Sequence, residues 1–309
     1  MNIIFSLFMA MFMLSDTAGA WAEAQTLPPE TELVSVLDQQ ELDQRIDTVI
    51  RNDGLEHTDV SVAYCYTGTG ECYYYNADEW YYSASLYKLP MIMSLVRMKE
   101  EGELTVDFNE DFDYIIHRCL VYSDNSWSLA IHRLVFTPQS ELRGLDAQLA
   151  GFPEEELPDG YYNNNIYSAR FMLGVVQELY ENAEDYPRVI DHLLEAQPDE
   201  YFRGELGDRY PIAQKYGSAH PVVHTAGIVY TPTPFLLVVM TSYAGIIPGE
   251  QLIGRLAETI ADYTLLLDER CEQAEEESRL AREEQLFERE RRWVDAAVSA
   301  AVMQALSFA

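Results

Sequence analysis

The order of strand-type and helix-type segments constrains the fold of this chain more than any other feature. A run of β-forming residues interrupted by a turn, at 60–75, predicts a hairpin. Two more strand-type runs follow only near the other end, at 222–230 and 235–242, and segments with helical periodicity lie between. We therefore predict an α+β fold in which both ends of the domain contribute to one antiparallel sheet, flanked by helices, with an inserted helical lobe.

The middle of the chain contains several amphipathic helical patterns. Apolar residues recur at helical spacing in 37–50, 83–99, 112–135, 168–180 and 252–267. The segment 151–165 is rich in Pro, Gly, Asn and acidic residues and predicts a loop. The predicted domain covers 37–267, with a helical lobe at about 88–205.

The two ends of the chain differ from this domain in composition. An apolar run followed by alternating alanines makes 1–24 similar to a signal peptide, so we expect an exported protein, whether extracellular, periplasmic or in the cell envelope. Because no Lys or Arg precedes the apolar run, an uncleaved membrane anchor is the alternative. Residues 25–36 are predicted to form a linker. Residues 268–309 predict a charged helical extension whose apolar end docks on the domain, contacts a protein partner or frays.

The charge balance and the cysteines restrict the partners and the compartment. The chain has 52 acidic and 20 basic residues and a formal net charge of −32, so it repels nucleic acid and we predict no nucleic-acid partner. Cys65 and Cys72 flank the turn of the predicted hairpin. They either form a disulfide across it, as an exported protein permits, or remain two thiols.

The first candidate catalytic motif is Ser85-Leu86-Tyr87-Lys88, at the start of a predicted helix. Residues three apart share a helix face, so the Lys88 amine can reach the Ser85 hydroxyl. It can act as a base once burial or a nearby cation lowers its pKa. A helix cap followed by a solvent-facing lysine is the structural alternative.

A second polar cluster, Ser123-Asp124-Asn125, follows an apolar helical segment. An ordinary helix cap and turn would explain these residue types without any catalytic role. In the catalytic alternative, the Ser123 hydroxyl relays a proton to the leaving nitrogen, and the Asn125 carboxamide orients a substrate amide.

The third motif is Lys215-Tyr216-Gly217-Ser218, on a short strand-type stretch. A cation on a strand beside the nucleophile would attract a substrate carboxylate, and a glycine lets a ligand approach the backbone closely. The chain contains only three lysines, and two of them stand in these motifs. Lysine can give up its proton and arginine effectively cannot, which favours a chemical role for Lys88.

Together the three motifs resemble the Ser-x-x-Lys, Ser-Asp-Asn and Lys-Thr-Gly set of the class A β-lactamases and penicillin-binding proteins. The hairpin before Ser85 and the runs at 165–170 and 224–230 resemble the same family. The resemblance covers about 37–267, which leaves both ends of the chain outside it.

The resemblance implies a role for each matching residue. Three are catalytic: the nucleophile Ser85, its base Lys88 and the proton relay Ser123. Four bind substrate: Asn125, Lys215, Gly217 and Ser218. The backbone N–H groups of Ser85 and Ser218 form the oxyanion hole. The reaction implied is acyl transfer at a β-lactam or at a D-Ala-D-Ala-like amide, with no metal or organic cofactor.

Three features depart from the family pattern. The segment between Lys88 and Ser123 is short for the family, so we expect part of the helical lobe to be trimmed. Tyr216 stands where the family has a small hydroxyl residue, which affects recognition of a substrate carboxylate. Class A enzymes also carry a loop glutamate that activates the deacylating water. Four acidic residues are candidates for that role by proximity in sequence: Glu154, Glu155, Glu156 and Asp159. A solvated acidic surface is the alternative for all of them.

The histidines do not form a metal-binding motif in the sequence. His220 and His224 are four residues apart, but Pro221 and the strand pattern between them argue against a shared helical face. We expect structural or surface roles for the histidines and predict no bound metal.

Three functions are compatible with the sequence. The leading hypothesis is a class A β-lactamase-like serine hydrolase that hydrolyses β-lactams through a Ser85 acyl-enzyme with slow deacylation. The second is a D,D-peptidase or penicillin-binding protein that acts on peptidoglycan-type peptides. The third is a non-catalytic sensor on the same fold, because fold and motif alone do not guarantee turnover.

Overall fold

The computed structural model describes residues 35–108, 110–197, 199–242 and 246–307. One compact unit is formed by Leu37–Asp268, and the residues from Glu269 onward belong to a second unit. The predicted signal peptide, 1–24, and most of the predicted linker lie outside the described residues.

A five-stranded antiparallel sheet lies at the centre of the larger unit, in the order β2-β1-β7-β6-β5. Its strands are β1 (Val60–Tyr66), β2 (Cys72–Tyr75), β5 (Ile212–Ala219), β6 (Val222–Val229) and β7 (Phe235–Thr241). The pairing of β1 with β7 places Val62 opposite Val239, so the early hairpin and the late strands form one sheet. The predicted α+β fold with a sheet built from both ends of the domain is confirmed.

Helices occupy the long interval between the two parts of the sheet and flank it. In chain order the helices are α1 (Gln39–Asn52), α2 (Lys88–Glu100), α3 (Phe112–Leu120), α4 (Asn125–Leu134), α5 (Gln139–Leu149), α6 (Ala169–Glu181), α7 (Pro187–Glu195), α8 (Phe202–Leu206) and α9 (Ile246–Ser307). The structure adds α5, α7 and α8, and a small two-stranded sheet of β3 (Trp80–Tyr82) and β4 (Ile166–Ser168), to the elements predicted from the sequence. The predicted helix at 252–267 and the charged extension form one continuous helix, α9.

The side chains of β1 alternate between two covered faces of the sheet. Ala63 and Cys65 face the cluster that includes α6, which contacts β1, β6 and β7. On the other face, the Tyr64 hydroxyl hydrogen-bonds with the Thr264 hydroxyl of α9 at 3.0 Å. Because helices cover both faces, β1, β6 and β7 are buried along their whole length.

The first helix and the hairpin are joined by polar as well as apolar contacts. Leu42, Ile46 and Ile50 form the buried face of α1 at a spacing of four residues. The Tyr75 hydroxyl of β2 donates to the Asp47 carboxylate of α1 at 2.6 Å. The tyrosine Tyr75 of β2 therefore helps to pack the hairpin against α1.

The hairpin also carries a disulfide. Cys65 and Cys72 lie directly opposite each other in β1 and β2 and are bonded. Of the two sequence alternatives, the structure supports the disulfide. Cys119 is a buried thiol, and burial raises its pKa to about 12, so it stays protonated.

The described helices include none with the combination of length and apolar character that a membrane crossing needs. In α9, the residues after Asp268 are mostly exposed and charged, which agrees with a solvated helix. Its large apolar side chains near the end are exposed as well, with Trp293 at 44% and Leu306 at 68%.

We predict that a chain ending at Asp268 folds like the full-length protein. The buried apolar residues of the described chain lie between Leu42 and Leu267, and the Tyr66 hydroxyl donates to the Asp268 carboxylate at 2.7 Å. Thermal unfolding followed by circular dichroism should give a midpoint within about 4 °C of the full chain, equivalent to about 1 kcal/mol.

A chain ending at Tyr263 is the matched control, because it lacks Thr264 and Leu267 and should unfold at a clearly lower temperature. Loss of the cooperative transition in the chain ending at Asp268 would show that the apolar end of α9 belongs to the core.

Candidate active site

Ser85, the predicted nucleophile, lies directly before α2 in a single turn of 3₁₀ helix, Ala84–Tyr87, which we call the nucleophile turn. Its side chain is half-buried, and no described residue hydrogen-bonds to its hydroxyl. The preceding residue, Ala84, has a φ of 48°, a region that costs a non-glycine residue about 1–3 kcal/mol. The surrounding structure must therefore hold this turn in place.

Asn165, just before β4, holds the turn from one side. Its Oδ1 accepts from the Ser83 hydroxyl at 2.8 Å, and its Nδ2 donates to the Ala84 carbonyl at 3.0 Å. Its backbone carbonyl accepts from the Ser83 N–H at 2.9 Å. One asparagine thus satisfies three polar groups of the strained segment, which fixes the backbone immediately before Ser85.

A buried polar cluster orients Asn165 in turn. Arg143 of α5 is 2% exposed and donates from Nη2 to Asn165 Oδ1 at 3.0 Å and from Nη1 to Asp146 Oδ2 at 2.8 Å. The Tyr167 hydroxyl donates to the same Asp146 oxygen at 2.5 Å. Burial raises the pKa of Asp146, and the hydrogen bonds from Arg143 and Tyr167 oppose that effect. The cluster links α5 and β4 to the nucleophile turn.

His224 of β6 holds the other side of the same segment. Its Nε2 donates to the Tyr82 carbonyl at 3.0 Å, and its Nδ1 accepts from the Thr241 N–H at 3.1 Å. These two partners require a neutral ring protonated on Nε2. Burial lowers the pKa of His224 to about 4, which keeps the ring neutral. The structural role expected of His224 from the sequence agrees with these contacts.

Lys88, the first residue of α2, is completely buried beneath the nucleophile turn. Its Nζ donates to the Ser123 carbonyl at 2.5 Å and to Asn125 Oδ1 at 2.7 Å, and lies 3.3 Å from Ser123 Oγ. Burial lowers the pKa of Lys88 to about 8. The solvent-facing lysine that was the structural alternative is therefore wrong. In this arrangement the amine hydrogen-bonds to Ser123 and Asn125, not to the Ser85 hydroxyl.

The turn between α3 and α4 presents Ser123 and Asn125 to that amine. Ser123 has a φ of 54°, and Asp124 caps α4 by accepting from the Ser126 N–H at 2.7 Å. Arg118 donates to the other Asp124 oxygen at 2.5 Å. The cap interpretation therefore holds for Asp124. The capped turn places Ser123 and Asn125 within hydrogen-bond distance of the Lys88 amine.

Lys215 of β5 reaches the same hydroxyl from the opposite side. It is completely buried, and its Nζ donates to Ser123 Oγ at 3.1 Å and to the Tyr216 carbonyl at 2.8 Å. Burial lowers the pKa of Lys215 well below its ordinary value, and the charge of Lys88 lowers it further. Two buried amines that both contact the Ser123 hydroxyl repel each other when protonated, which favours the loss of a proton from one of them.

Gly217 lets β5 lie against the nucleophile turn. β5 is an edge strand, and a Cβ on Gly217 would be 2.9 Å from the Ser85 nitrogen and 2.8 Å from the Leu86 nitrogen. Side chains essentially never come this close to backbone, so any residue with a Cβ would displace the strand. The sequence predicted that this glycine lets a ligand approach the backbone, and in the structure the backbone of the turn at Ser85 occupies that side of the glycine.

Tyr216 and Ser218 flank Gly217 on the half-buried side of β5. The Tyr216 ring lies 4.1 Å from the Lys215 amine and stacks on Tyr201 at 5.1 Å between centroids. The Tyr201 hydroxyl bonds to Ser218 and to Glu250. The Tyr216 ring thus covers the Lys215 amine, which a smaller side chain at this position would leave more accessible.

The loop acids do not join this group of residues. Glu154, Glu155, Glu156 and Asp159 are all exposed. Glu154 accepts from the Tyr162 hydroxyl at 3.4 Å, and none of the four hydrogen-bonds to Ser85, Lys88 or Ser123 in the described structure. The solvated-surface interpretation agrees with this placement.

The structure therefore groups most of the residues that the motifs singled out, and it adds others. Sequence reasoning assigned no site role to Asn165, Arg143 and His224. The run at 165–170 was noted only as similar to the family, and Arg143 lies in a helix that was not predicted. Their contribution comes from contacts between distant segments, which no spacing along the chain reveals.

Comparisons with known proteins agree with the fold. A family model described as the beta-lactamase enzyme family matches residues 41–113 and 121–264, which is most of the chain. No curated protein matches. A β-lactamase structure from Sphaerobacter thermophilus is 19% identical, with a TM-score of 0.61 over 74% of this chain and 99% of that one.

Two further structures are similar at comparable levels. A β-lactamase from Chitinophaga pinensis is 16% identical, with a TM-score of 0.61, and covers 72% of this chain and 99% of its own. PBP-A is 19% identical, with a TM-score of 0.59 over 77% of this chain and 98% of that one. At these identities the structural likeness shows the fold.

We predict that Gly217→Ala lowers the free energy of unfolding by about 1–3 kcal/mol, because the new methyl group overlaps the backbone before α2. Gly144→Ala in α5 is the matched control, since nothing lies within 4 Å of its Cβ. In a helix interior that change should instead stabilise by up to about 1 kcal/mol. Urea unfolding measures both variants. Equal effects of the two substitutions would contradict the close approach at Gly217.

Proposed function

Because this chain belongs to the beta-lactamase enzyme family, we propose that it is a serine hydrolase that forms an acyl-enzyme through Ser85 with β-lactams and releases the product slowly. One observation carries the proposal. The buried amines of Lys88 and Lys215 both contact the Ser123 hydroxyl, at 3.3 and 3.1 Å, beside the nucleophile turn. Such an arrangement suits proton transfer, because burial lowers the amine pKa and allows a neutral amine to form near neutral pH.

Acylation begins with attack of Ser85 Oγ on the β-lactam carbonyl. The Ser85 proton passes to the neutral Lys88 amine, whose lowered pKa of about 8 allows it to act as a base. The proton then moves through the Ser123 hydroxyl to the ring nitrogen as the amide bond breaks. The Ser85 and Ser218 backbone N–H groups stabilise the negative charge on the carbonyl oxygen. The Lys88 amine hydrogen-bonds to Ser123 and Asn125 in the structure, so it has to turn from them to accept the Ser85 proton.

Lys215 and its neighbours bind the substrate. Burial and Lys88 lower the pKa of Lys215 in the free protein, and a bound substrate carboxylate opposes that effect, so Lys215 binds the carboxylate as a cation. The edge strand β5 offers backbone groups to the substrate amide. The Tyr216 ring covers part of that cation, so the Ser218 hydroxyl takes over part of the contact with the carboxylate. Asn125 orients the amide side chain of the substrate.

Deacylation lacks a comparable device. Water needs a positioned base to attack the ester, and the four loop acids are exposed and make no contact with the catalytic group. General-base catalysis is worth about a hundredfold to ten-thousandfold, so its absence leaves a long-lived acyl-enzyme. The same observation favours the second candidate, a penicillin-binding protein or D,D-peptidase that cleaves peptidoglycan-type peptides and that β-lactams trap.

Export to the cell envelope remains part of the proposal. The segment that resembles a signal peptide, 1–24, is outside the described residues. The Cys65–Cys72 disulfide supports an oxidising compartment, because such bonds are rare in the cytosol.

We predict a burst of one acylation followed by slow release. Intact-protein mass spectrometry after mixing with penicillin G should show one added penicillin mass that persists over many minutes and decays slowly. Ser85→Ala should show no adduct and keep its thermal unfolding midpoint, because only the nucleophilic oxygen is lost. Labelling that persists in Ser85→Ala would place the nucleophile elsewhere. Fast multiple turnover without an adduct would show that a loop carboxylate acts as the base.

The Lys88 mechanism predicts a pH dependence of acylation. The neutral amine is the reactive form, so the acylation rate should rise with pH through an apparent pKa near 8 and level off above it. Lys88→Arg should abolish acylation, because a guanidinium stays protonated. Lys99→Arg is the matched control and should acylate at the normal rate. Stopped-flow measurement with a chromogenic β-lactam gives both rates. A flat profile or a reactive Lys88→Arg variant would remove Lys88 as the base.

A further inference from the structure

A cluster of metal-binding side chains lies on the helical lobe, outside the group of residues just described. His117 of α3 and His192 and Glu195 of α7 each offer a ligand atom, and these atoms lie within 4.8 Å of one another. The two helices are distant in sequence, so no local spacing motif marks the cluster. This is why the sequence, which showed no metal-ligand motif, did not reveal it.

His192 carries the most informative contacts. It is 7% exposed, and its Nε2 hydrogen-bonds with Asp113 Oδ1 at 3.0 Å. Its other ring nitrogen, Nδ1, is buried and has no hydrogen-bond partner in the described structure. A buried polar atom left unpaired is unfavourable, because it has lost its hydrogen bonds to water. A carboxylate on one nitrogen and a free lone pair on the other is the usual arrangement of a histidine that ligates a metal.

The other two groups complete a donor set of two nitrogens and one oxygen. His117 Nε2 lies 3.3 Å from Glu195 Oε2, and the rings of His117 and His192 are 5.1 Å apart between centroids. Imidazole and carboxylate ligands suit Zn²⁺, and two histidines with one glutamate are a known zinc donor set. We propose that His117, His192 and Glu195 bind a divalent transition-metal ion of the zinc type, with Asp113 as the hydrogen-bonding partner that orients His192.

A cavity gives the ion an entry path and an open coordination position. His117 and Glu195 line a cavity of about 390 Å³ whose other walls include Tyr122 and Tyr216. Glu195 is exposed and His117 partly exposed, so solvent reaches two of the three ligands. An ion held here would keep at least one position for water, and the cavity walls Tyr122 and Tyr216 are the sequence neighbours of Ser123 and Lys215.

Zn²⁺ titration of the full-length protein against a competing chromogenic chelator tests the site. We expect one tight site per chain. His117→Ala and His192→Ala should each lower the affinity by more than about a hundredfold, and Asp113→Asn by about 10- to 100-fold, as loss of an orienting partner does. His132→Ala, which removes a histidine of α4 outside the cluster, should leave the affinity unchanged.

Two further measurements separate this site from the strongly acidic surface. Co²⁺ in place of Zn²⁺ should give visible absorption bands of a low-coordinate nitrogen and oxygen site, and these bands should vanish in His117→Ala. Mg²⁺ and Ca²⁺ prefer oxygen ligands and should not compete. Thermal unfolding without metal shows whether each variant folds. If the buried His192 variant does not fold, the more exposed His117→Ala decides alone. Zn²⁺ affinity unchanged in His117→Ala, or equal competition by Mg²⁺, overturns the proposal.

Discussion

Two lysine amines, buried on either side of one hydroxyl, set the condition that the surrounding structure has to meet. Burial lowers the pKa of Lys88 from 10.5 to about 8, which corresponds to about 3 kcal/mol between its protonation states. The folded state binds the Lys88 proton less tightly than the unfolded chain does. Burial of Lys88 therefore lowers the free energy of unfolding by the full amount below pH 8, and this destabilisation vanishes as the pH rises toward 10.5. The net charge of −32 does not offset the destabilisation from the buried lysine, since exposed charges are screened beyond about 10 Å. The fold therefore has to supply polar partners at the amines themselves.

Those partners come from parts of the chain that only the tertiary fold brings together. Ser123 and Asn125 come from a turn in the helical lobe, whereas Lys215 comes from the edge strand of a sheet whose central pairing joins the early hairpin to the late strands. Gly217 allows that strand to touch the nucleophile turn. The turn is itself strained at Ala84 and is held by hydrogen bonds from both sides. The geometry of this candidate site is therefore a consequence of long-range packing, because no single element carries all of its residues.

The sequence predicts most of the fold and the chemically reactive residues, for identifiable reasons. Runs of β-forming residues locate β1, β6 and β7, because these strands are buried throughout. Helical periodicity locates the longer helices, because each buries one continuous face. The motif residues Lys88 and Lys215 stand out because lysine is so scarce in this chain. Short elements such as β3 and α8 carry too few residues for a periodic signal. The contacts of Asn165 and the cluster at His117 and His192 depend on helix packing angles, which no linear pattern contains.

The positions of the carboxylates bear on the slow deacylation that we propose. Asp124 is the carboxylate whose charge raises the Lys88 pKa, and Arg118 binds it at 2.5 Å, which weakens that effect. A second carboxylate placed close enough to activate water at Ser85 would act on the same amine and hold its proton more tightly. Lys88 would then be a poorer base near neutral pH. In the mechanism that we propose, a site that relies on a desolvated lysine gains from keeping its loop acids in solvent, and slow deacylation is the consequence.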